Sequence, residues 1–528
     1  MRPTLLYLTV FVSGMSTLAI ELTATRLLGN VFGTSNLVWA NVIGLMLLYL
    51  SIGYFLGGRL ADRYPNPRNL FRLILWAAFL NALIPLLARP ILQGAASAVI
   101  NVDAVVVVGA FLSVLVLFAG PVTLLGCVPP FAMRQAINNL SMTGQVSGKV
   151  YAISTLGSLL GTFLPVLVFI PEIGTRNTFL LFAALLYVTA LAGLWYCDGR
   201  VPVRTLWMPV VIILLVQLVT GGPLRAAPPG RTLLLEQESA YNYIQVQEDG
   251  EGYRYLYLNE GQGIHSQWHP DRISYGRTWS FFLTAPWFHK YRDDEQPVKS
   301  LAIVGLAGGT IARQYHHVYG AMPIDGIEID PALVDVARRW FGLDAIPGLQ
   351  AWAADGRVAL RQLPRQYSVI ALDAYRPPYI PWHLTTVEFF EEARSRLLPA
   401  GALAVNVGRT HSDRRLVDAM TSTLLQVFPN VHVMDVPNSF NSILVATSQP
   451  SQAITLAQNL ADLPEIASPI LREALALGVA SLAPTVPGSL IFRDDHAPVE
   501  RLVDSLVQDF LLSGEAARFI PASSSHDT

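Results

Sequence analysis

The chain has 528 residues, enough for two or three domains, yet its mean hydropathy is +0.42 and only 14% of it is charged. A net charge of −2 and a pI near 6.6 give no basic face for nucleic acid. The two cysteines, Cys127 and Cys197, both sit in apolar segments, which excludes a disulfide framework or a cysteine zinc site in the second half, and no metal is expected.

The apolar excess is concentrated before Leu224. Runs at Thr4–Leu27, Val38–Leu56, Leu70–Leu87, Ala104–Cys127, Val150–Ile170, Thr178–Tyr196 and Leu206–Thr220 each approach the roughly 20 residues a helix needs to cross a bilayer. Residues 1–222 are therefore expected to form a multi-pass α-helical membrane domain of about seven segments. The first run carries Glu21 and Arg26 and lacks a small-residue cleavage pattern, so it does not read as a signal peptide. Glu21 and Arg26 read as an interfacial pair, with a polar pocket or helix-packing lock as the alternative. Arg59, Arg63, Arg68 and Arg72, then Arg134 and Lys149, then Arg200 and Arg204 mark alternate loops, so these loops and the amino terminus are expected inside. Seven crossings would then leave the second half outside, whereas an enzyme using an adenosyl nucleotide belongs in the cytosol. The expectation adopted is a cell (inner) membrane protein with a cytoplasmic catalytic half and one miscounted segment. The Gly57–Arg63 loop resembles the short basic loop of major-facilitator transporters, and it equally serves to end a helix.

Residues 223–231 are a Pro/Gly/Ala linker. From 232 to 290 the pattern alternates and is rich in tyrosine, with a Glu248-Asp249-Gly250 turn, and reads as a small β-hairpin subdomain followed by a helix over Arg277–Phe288. Residues 291–528 then alternate strands and helices. Strands are expected at Leu301–Gly305, Ile324–Ile329, Leu349–Ala353, Ser368–Leu372, Ala402–Val407, Val431–Val436 and Ser442–Ala446. That is an α/β, Rossmann-like, doubly wound sheet, whose ligands bind beyond the carboxyl ends of the strands.

The informative residues fall at those ends. Gly305, Gly308 and Gly309 follow the first strand, where glycines let backbone approach a ligand. Glu328 ends the second strand, where a carboxylate accepts from ribose hydroxyls. Asp355 and Gly356 follow the third strand and Asp373 ends the fourth. Any one of these is a common turn or helix cap; four in register point to a nucleotide.

Through these residues the chain resembles the spermidine synthase (polyamine aminopropyltransferase) family, in its membrane-fused bacterial branch. The resemblance covers most of Thr232–Val507, and the first half shares it through Glu21–Arg26, Gly57–Arg63 and Tyr151–Gly157. It implies a small β-domain before a class I methyltransferase-like fold, and transfer of an aminopropyl group from decarboxylated S-adenosylmethionine to a diamine. By position it implies Glu328 on the ribose, Asp355 with Gly356 at the adenine, Gly305, Gly308 and Gly309 beside the ligand, and Asn242 near the nucleotide. Asp373 takes the place of the carboxylate that binds and helps deprotonate the attacking amine. Tyr241 and Tyr375 are further substrate candidates. The family's aspartate inside the glycine loop is replaced by Gly308 or its neighbour, its second fourth-strand aspartate by Arg376, and its gating glutamine by His265. The acceptor expected is thus an amine other than putrescine. The Arg493–Glu500 segment resembles a terminal Asp-Asp-x-x-Pro motif of that branch and reads as a structural turn. Partners expected are the amine, the bilayer and no nucleic acid, with a homodimer left open. Two readings compete: an S-adenosylmethionine-dependent methyltransferase, and a non-catalytic membrane transporter or sensor with a nucleotide- or polyamine-binding domain.

Overall fold

The computed structural model describes residues 2–32, 36–99, 104–137, 143–200, 203–219, 225–259, 261, 263–290, 296–375 and 380–512. The chain forms two compact units: Met1–Ala226 with Glu236–Tyr243, and Ala227–Leu235 with Ile244–Thr528.

The first unit is helical: α1 (Pro3–Phe32), α2 (Asn36–Arg63), α3 (Pro67–Val99), α4 (Ala104–Gly126), α5 (Val128–Ala136), α6 (Thr143–Leu164), α7 (Ile170–Asp198) and α8 (Trp207–Val219). Small residues decide who touches whom, because they let apolar helices approach backbone to backbone. Gly157 and Gly161 of α6 sit where a Cβ would collide with the carbonyl oxygens of Phe11 and Met15 on α1. Gly53 and Gly57 of α2 abut Thr123 and Cys127 in the same way, so Gly57 is a packing residue. Among the described residues, five helical stretches are long and apolar enough to cross a membrane: Pro3–Gly29, Val38–Arg63, Pro67–Ala88, Phe111–Ala136 and the 56-residue Thr143–Asp198. The last holds a non-helical residue, Gly174 (φ 79°, ψ 164°), between the two runs read separately from the sequence. The segment read as a seventh crossing is a shorter apolar helix, Val203–Leu218.

Arg26 does not depend on Glu21 for a partner. Its guanidinium donates to the carbonyl oxygens of Ser239 (2.5 Å) and Tyr241 (3.2 Å), and the Thr175 N–H donates to the Glu238 carboxylate at 2.8 Å. These bonds fasten the Glu236–Tyr243 segment to the helices, which is why it belongs to the first unit.

The strands β1 (Arg231–Glu238), β2 (Tyr243–Asp249), β3 (Arg254–Leu258) and β4 (Ile264–Trp268) form a four-stranded sheet in that order. The Glu248-Asp249-Gly250 turn joins β2 to β3, so the expected hairpin is the central part of a larger sheet. Alternation sends Ile244, Val246, Leu256 and Leu258 to one face, where they pack against Leu333, Val336 and Phe341. The helix expected over Arg277–Phe288 is a short α9 (Thr278–Phe282) followed by a 3₁₀ turn at Ala285–Phe288.

The remaining elements are β5 (Leu301–Val304), α10 (Thr310–Tyr319), β6 (Ile324–Glu328), α11 (Pro331–Phe341), β7 (Leu349–Ala353), α12 (Gly356–Gln362), β8 (Tyr367–Leu372), α13 (Val387–Ser395), β9 (Leu397–Gly408), α14 (Arg415–Leu425), β10 (Asn430–Asp435), β11 (Asn441–Thr447), α15 (Ile454–Ala461), α16 (Pro469–Ala480), β12 (Leu482–Ala483) and α17 (Val499–Leu512). Among the described residues the second sheet has order β12-β10-β11-β9-β8-β5-β6-β7. β9, β8, β5, β6 and β7 run parallel, while β11, β10 and β12 add antiparallel pairings at the other edge. Apolar clusters cover both faces, one around Phe389, Phe390, Leu416 and Phe492, the other around Phe281, Ile311, Tyr315 and Leu475. This is a mixed α/β sheet of the methyltransferase-like kind. The order reverses between β5 and β8, which makes that gap the place where a doubly wound sheet opens a crevice.

Candidate active site

Each strand tip near the reversal carries a side chain fixed by local chemistry. β5 ends at Gly305, whose φ of 92° lies in the left-handed region, and a Cβ there would lie 2.5 Å from the Asp373 carbonyl oxygen. The glycine thus lets the β5 and β8 tips close up. Gly309 (φ 78°) caps α10. At Gly308 a Cβ would lie 2.7 Å from the Ser266 Cβ, and the Gly308 N–H donates to Ser266 Oγ at 2.8 Å. Thr310 Oγ exchanges hydrogen bonds with the Gln267 backbone at 3.1 and 3.2 Å. The glycine loop is therefore clamped by β4, and Gly308 owes its missing side chain to that strand.

Glu328, at the tip of β6, is 7% exposed. One of its oxygens accepts from the Ala307 N–H in the glycine loop (3.0 Å), the other from the Asp330 N–H (3.3 Å). Burial outweighs these donors and pushes the carboxyl up to about 7. A carboxylate with two oxygens retains lone pairs for further donors such as vicinal hydroxyls. Asp330 caps α11 through the Ala332 N–H, and Gly342 ends that helix in the left-handed conformation. Asp355 caps α12 through the Val358 N–H (3.0 Å), and its second oxygen meets His383 Nε2 at 3.1 Å. Gly356 stands where a Cβ would strike Val304.

Asp373, just beyond β8, accepts from Asn406 Nδ2 at 2.8 Å and from the side chain of Trp279. Its carboxyl is pushed up to about 7, with burial as the cause and the two donors opposing it. Tyr375 stands beside it, its hydroxyl hydrogen-bonded to the Gly408 backbone and its ionisation suppressed by burial. The folded chain holds the Asp373 proton more tightly than an unfolded one, whose carboxyl titrates near 3.8. Stability from this group is therefore complete at low pH and lost as pH rises towards about 7. The melting temperature of wild type minus that of Asp373→Asn should thus climb as pH falls from about 8 to about 5; a difference flat with pH would contradict it.

His265 lies where the β3–β4 register shifts, the kind of irregularity that redirects a side chain. Its Nε2 is buried and has no hydrogen-bond partner among the described residues, and burial lowers its pKa to about 4, so the ring is neutral. Tyr241 and Asn242 belong to the first unit; Tyr241 is 42% exposed and Asn242 is buried, its N–H donating to Ser239 Oγ at 2.8 Å. Arg376 lies outside the described residues. Glu328, Asp355 and Asp373 thus share one edge of one sheet with the three glycines.

Trp279, Asn406 and His383 were not read from the sequence as site residues. Asn406 had a signal, a lone amide inside the apolar run Ala402–Val407; Trp279 and His383 had none, since only the tertiary fold brings them in. The terminal motif also gains a place. Arg357 of α12, with its side chain 10% exposed, binds the Asp494 carboxylate through two nitrogens at 2.8 Å and Glu392 at 2.7 Å. Thr386 Oγ donates to Asp494 at 2.6 Å. Asp494 thereby ties the final segment to the helix that Asp355 caps. No group of three or more His, Cys, Asp or Glu that could hold a metal occurs among the described residues.

No family model matches the chain. It is 30% identical over 298 residues to a probable polyamine aminopropyl transferase of Bifidobacterium longum, covering 52% of this chain and 64% of that one. It is 28% identical over 171 residues to the mouse eEF1A lysine and N-terminal methyltransferase, covering 30% of this chain and 24% of that one. The chain thus spans less than two thirds of either relative. A crystal structure of a probable spermidine synthase from Corynebacterium glutamicum aligns at 20% identity with a TM-score of 0.38, covering 45% of this chain and 88% of that one.

Proposed function

We propose, for a chain related to the spermidine synthase family, that it is a membrane-anchored transferase. It moves an aminopropyl group from decarboxylated S-adenosylmethionine to an amine other than putrescine, with the catalytic half in the cytosol. The observation that carries this reading is Asp373, a carboxylate held by two N–H donors at the sheet's reversal, on the same edge as Glu328 and the glycine loop.

In this reading Glu328 accepts from the ribose hydroxyls of the donor, and Asp355 accepts from the adenine amino group beside Gly356. Gly305 and Gly309 keep the loop backbone close to the ligand. The acceptor enters as an ammonium, pairs with Asp373 and gives up a proton to it. Its nitrogen lone pair then attacks the methylene next to the sulfonium. A C–N bond forms, the C–S bond breaks, and its electron pair stays on sulfur, so methylthioadenosine leaves neutral. Trp279 and Tyr375 beside Asp373 suit a cationic amine, since aromatic faces attract ammonium groups. His265, neutral and with an open Nε2, supplies an uncharged contact for the acceptor's far end, where a second carboxylate would have selected a diamine.

The second reading is methyl transfer from S-adenosylmethionine, favoured by the methyltransferase relative. Incubating the purified full chain with each donor and a panel of mono-, di- and zwitterionic amines separates the two by product mass. A gain of an aminopropyl unit supports the first reading, a gain of a methyl group the second, and no product from either donor contradicts both.

A further inference from the structure

Beyond Asp373 lies a run of side chains with no counterpart in the proposed chemistry. Asn406 of β9 is 7% exposed, and its Nδ2 donates to Asp373 Oδ1 at 2.8 Å. Its Oδ1 accepts from Asn441 Nδ2 at 2.7 Å, and Asn441 Oδ1 accepts from Ser439 Oγ at 2.9 Å. The register makes this possible: β11 runs antiparallel to β9 with Asn441 opposite Gly408, so the β10–β11 turn bearing Ser439 arrives at the Asp373 end of the sheet. Asn438 in that turn adopts φ 52°, a conformation asparagine tolerates better than most residues.

The order of donors along this run is dictated at one end. An ionised carboxylate can only accept, so Asn406 must turn its NH₂ to Asp373. Its carbonyl oxygen is then left for the NH₂ of Asn441, whose own oxygen takes the Ser439 hydroxyl. Every member points its donor towards Asp373.

We propose that Ser439, Asn441 and Asn406 form a one-way hydrogen-bond chain that favours the ionised, proton-accepting form of Asp373, making Asn406 a positioning residue for the transfer. This rests on the role given to Asp373 above. The chain matters because the site is otherwise poorly suited to a carboxylate. Of the elements packed around Asp373, α9 contributes Trp279, β9 contributes Asn406, β5 contributes glycine backbone, and the β8 tip contributes Tyr375, so among the described residues no cation pairs with it. Amide and indole N–H groups are then the groups that oppose desolvation.

The test is a pH titration of the full chain by infrared spectroscopy, following the carboxyl C=O band that disappears in Asp373→Asn. Asn406→Leu keeps the branching and heavy-atom count and removes the donor; its midpoint should rise by about one pH unit. Ser439→Ala, a turn substitution with little risk to folding, should shift it the same way by less. With an active donor–amine pair, the acid limb of kcat/KM should move by the same amount, with about tenfold loss well below the wild-type midpoint and recovery in alkali. Midpoints unmoved in both variants overturn the chain. Turnover intact in Asp373→Asn overturns the catalytic reading, and leaves the infrared result to judge the chain alone.

Discussion

Asp373→Asn is expected to lower turnover by about 10³-fold with donor affinity little changed, since a positioned general base contributes roughly 10²–10⁴-fold. The amide cannot take a proton from the incoming ammonium. It also turns an NH₂ towards groups that are themselves donors, Asn406 and Trp279. The nucleotide contacts proposed for Glu328 and Asp355 are untouched, so the loss should fall on kcat. Single-turnover kinetics with saturating donor measures it. Wild-type turnover in the variant would remove Asp373 from the chemistry.

The second large effect is on stability. Arg357→Ala should cost about 2 kcal/mol, since it removes a largely buried, hydrogen-bonded cation from two carboxylates that are themselves 24% and 41% exposed. Arg357 is enclosed between Glu392 and Asp494 and also donates to the His383 carbonyl oxygen at 3.2 Å. Glu392 keeps Arg361 at 2.5 Å, whereas the Asp494 carboxylate keeps the Thr386 hydroxyl and the more distant field of Arg361. The final segment then loses its tie to α12, and the Asp355 cap loses its support. Denaturant unfolding of the second unit within the full chain would read this; a change below about 1 kcal/mol would make the ion cluster an exposed pair of little consequence.

Glu328, Asp355 and Asp373 were legible because apolar runs of strand length each ended on a carboxylate, and parallel sheets collect such ends on one edge. What those residues touch was less legible. Gly308 reads as ligand clearance, yet Ser266 of the small sheet occupies the space a side chain would need. Trp279 reaches Asp373 through tertiary packing of α9, which local periodicity does not encode. Asn406 was visible as an amide in an apolar strand, but its meaning required the antiparallel β11 and the turn behind it. Asp494 read as a turn, and the turn is there, Arg493 and His496 exchanging backbone bonds; its bond to Arg357 spans 137 positions. In the helical unit the apolar runs were plain, whereas the break at Gly174 in the long Thr143–Asp198 stretch depends on backbone geometry.

Calorimetric titration of the solubilised full chain with decarboxylated S-adenosylmethionine, for wild type and Glu328→Ala, bears most directly on the central claim. Saturable one-site binding to wild type, weakened at least about tenfold in the variant by loss of a charge-assisted hydrogen-bond acceptor, is the result expected. Equal affinity in both, or no heat from the wild type, would contradict an adenosyl donor held at this edge of the sheet.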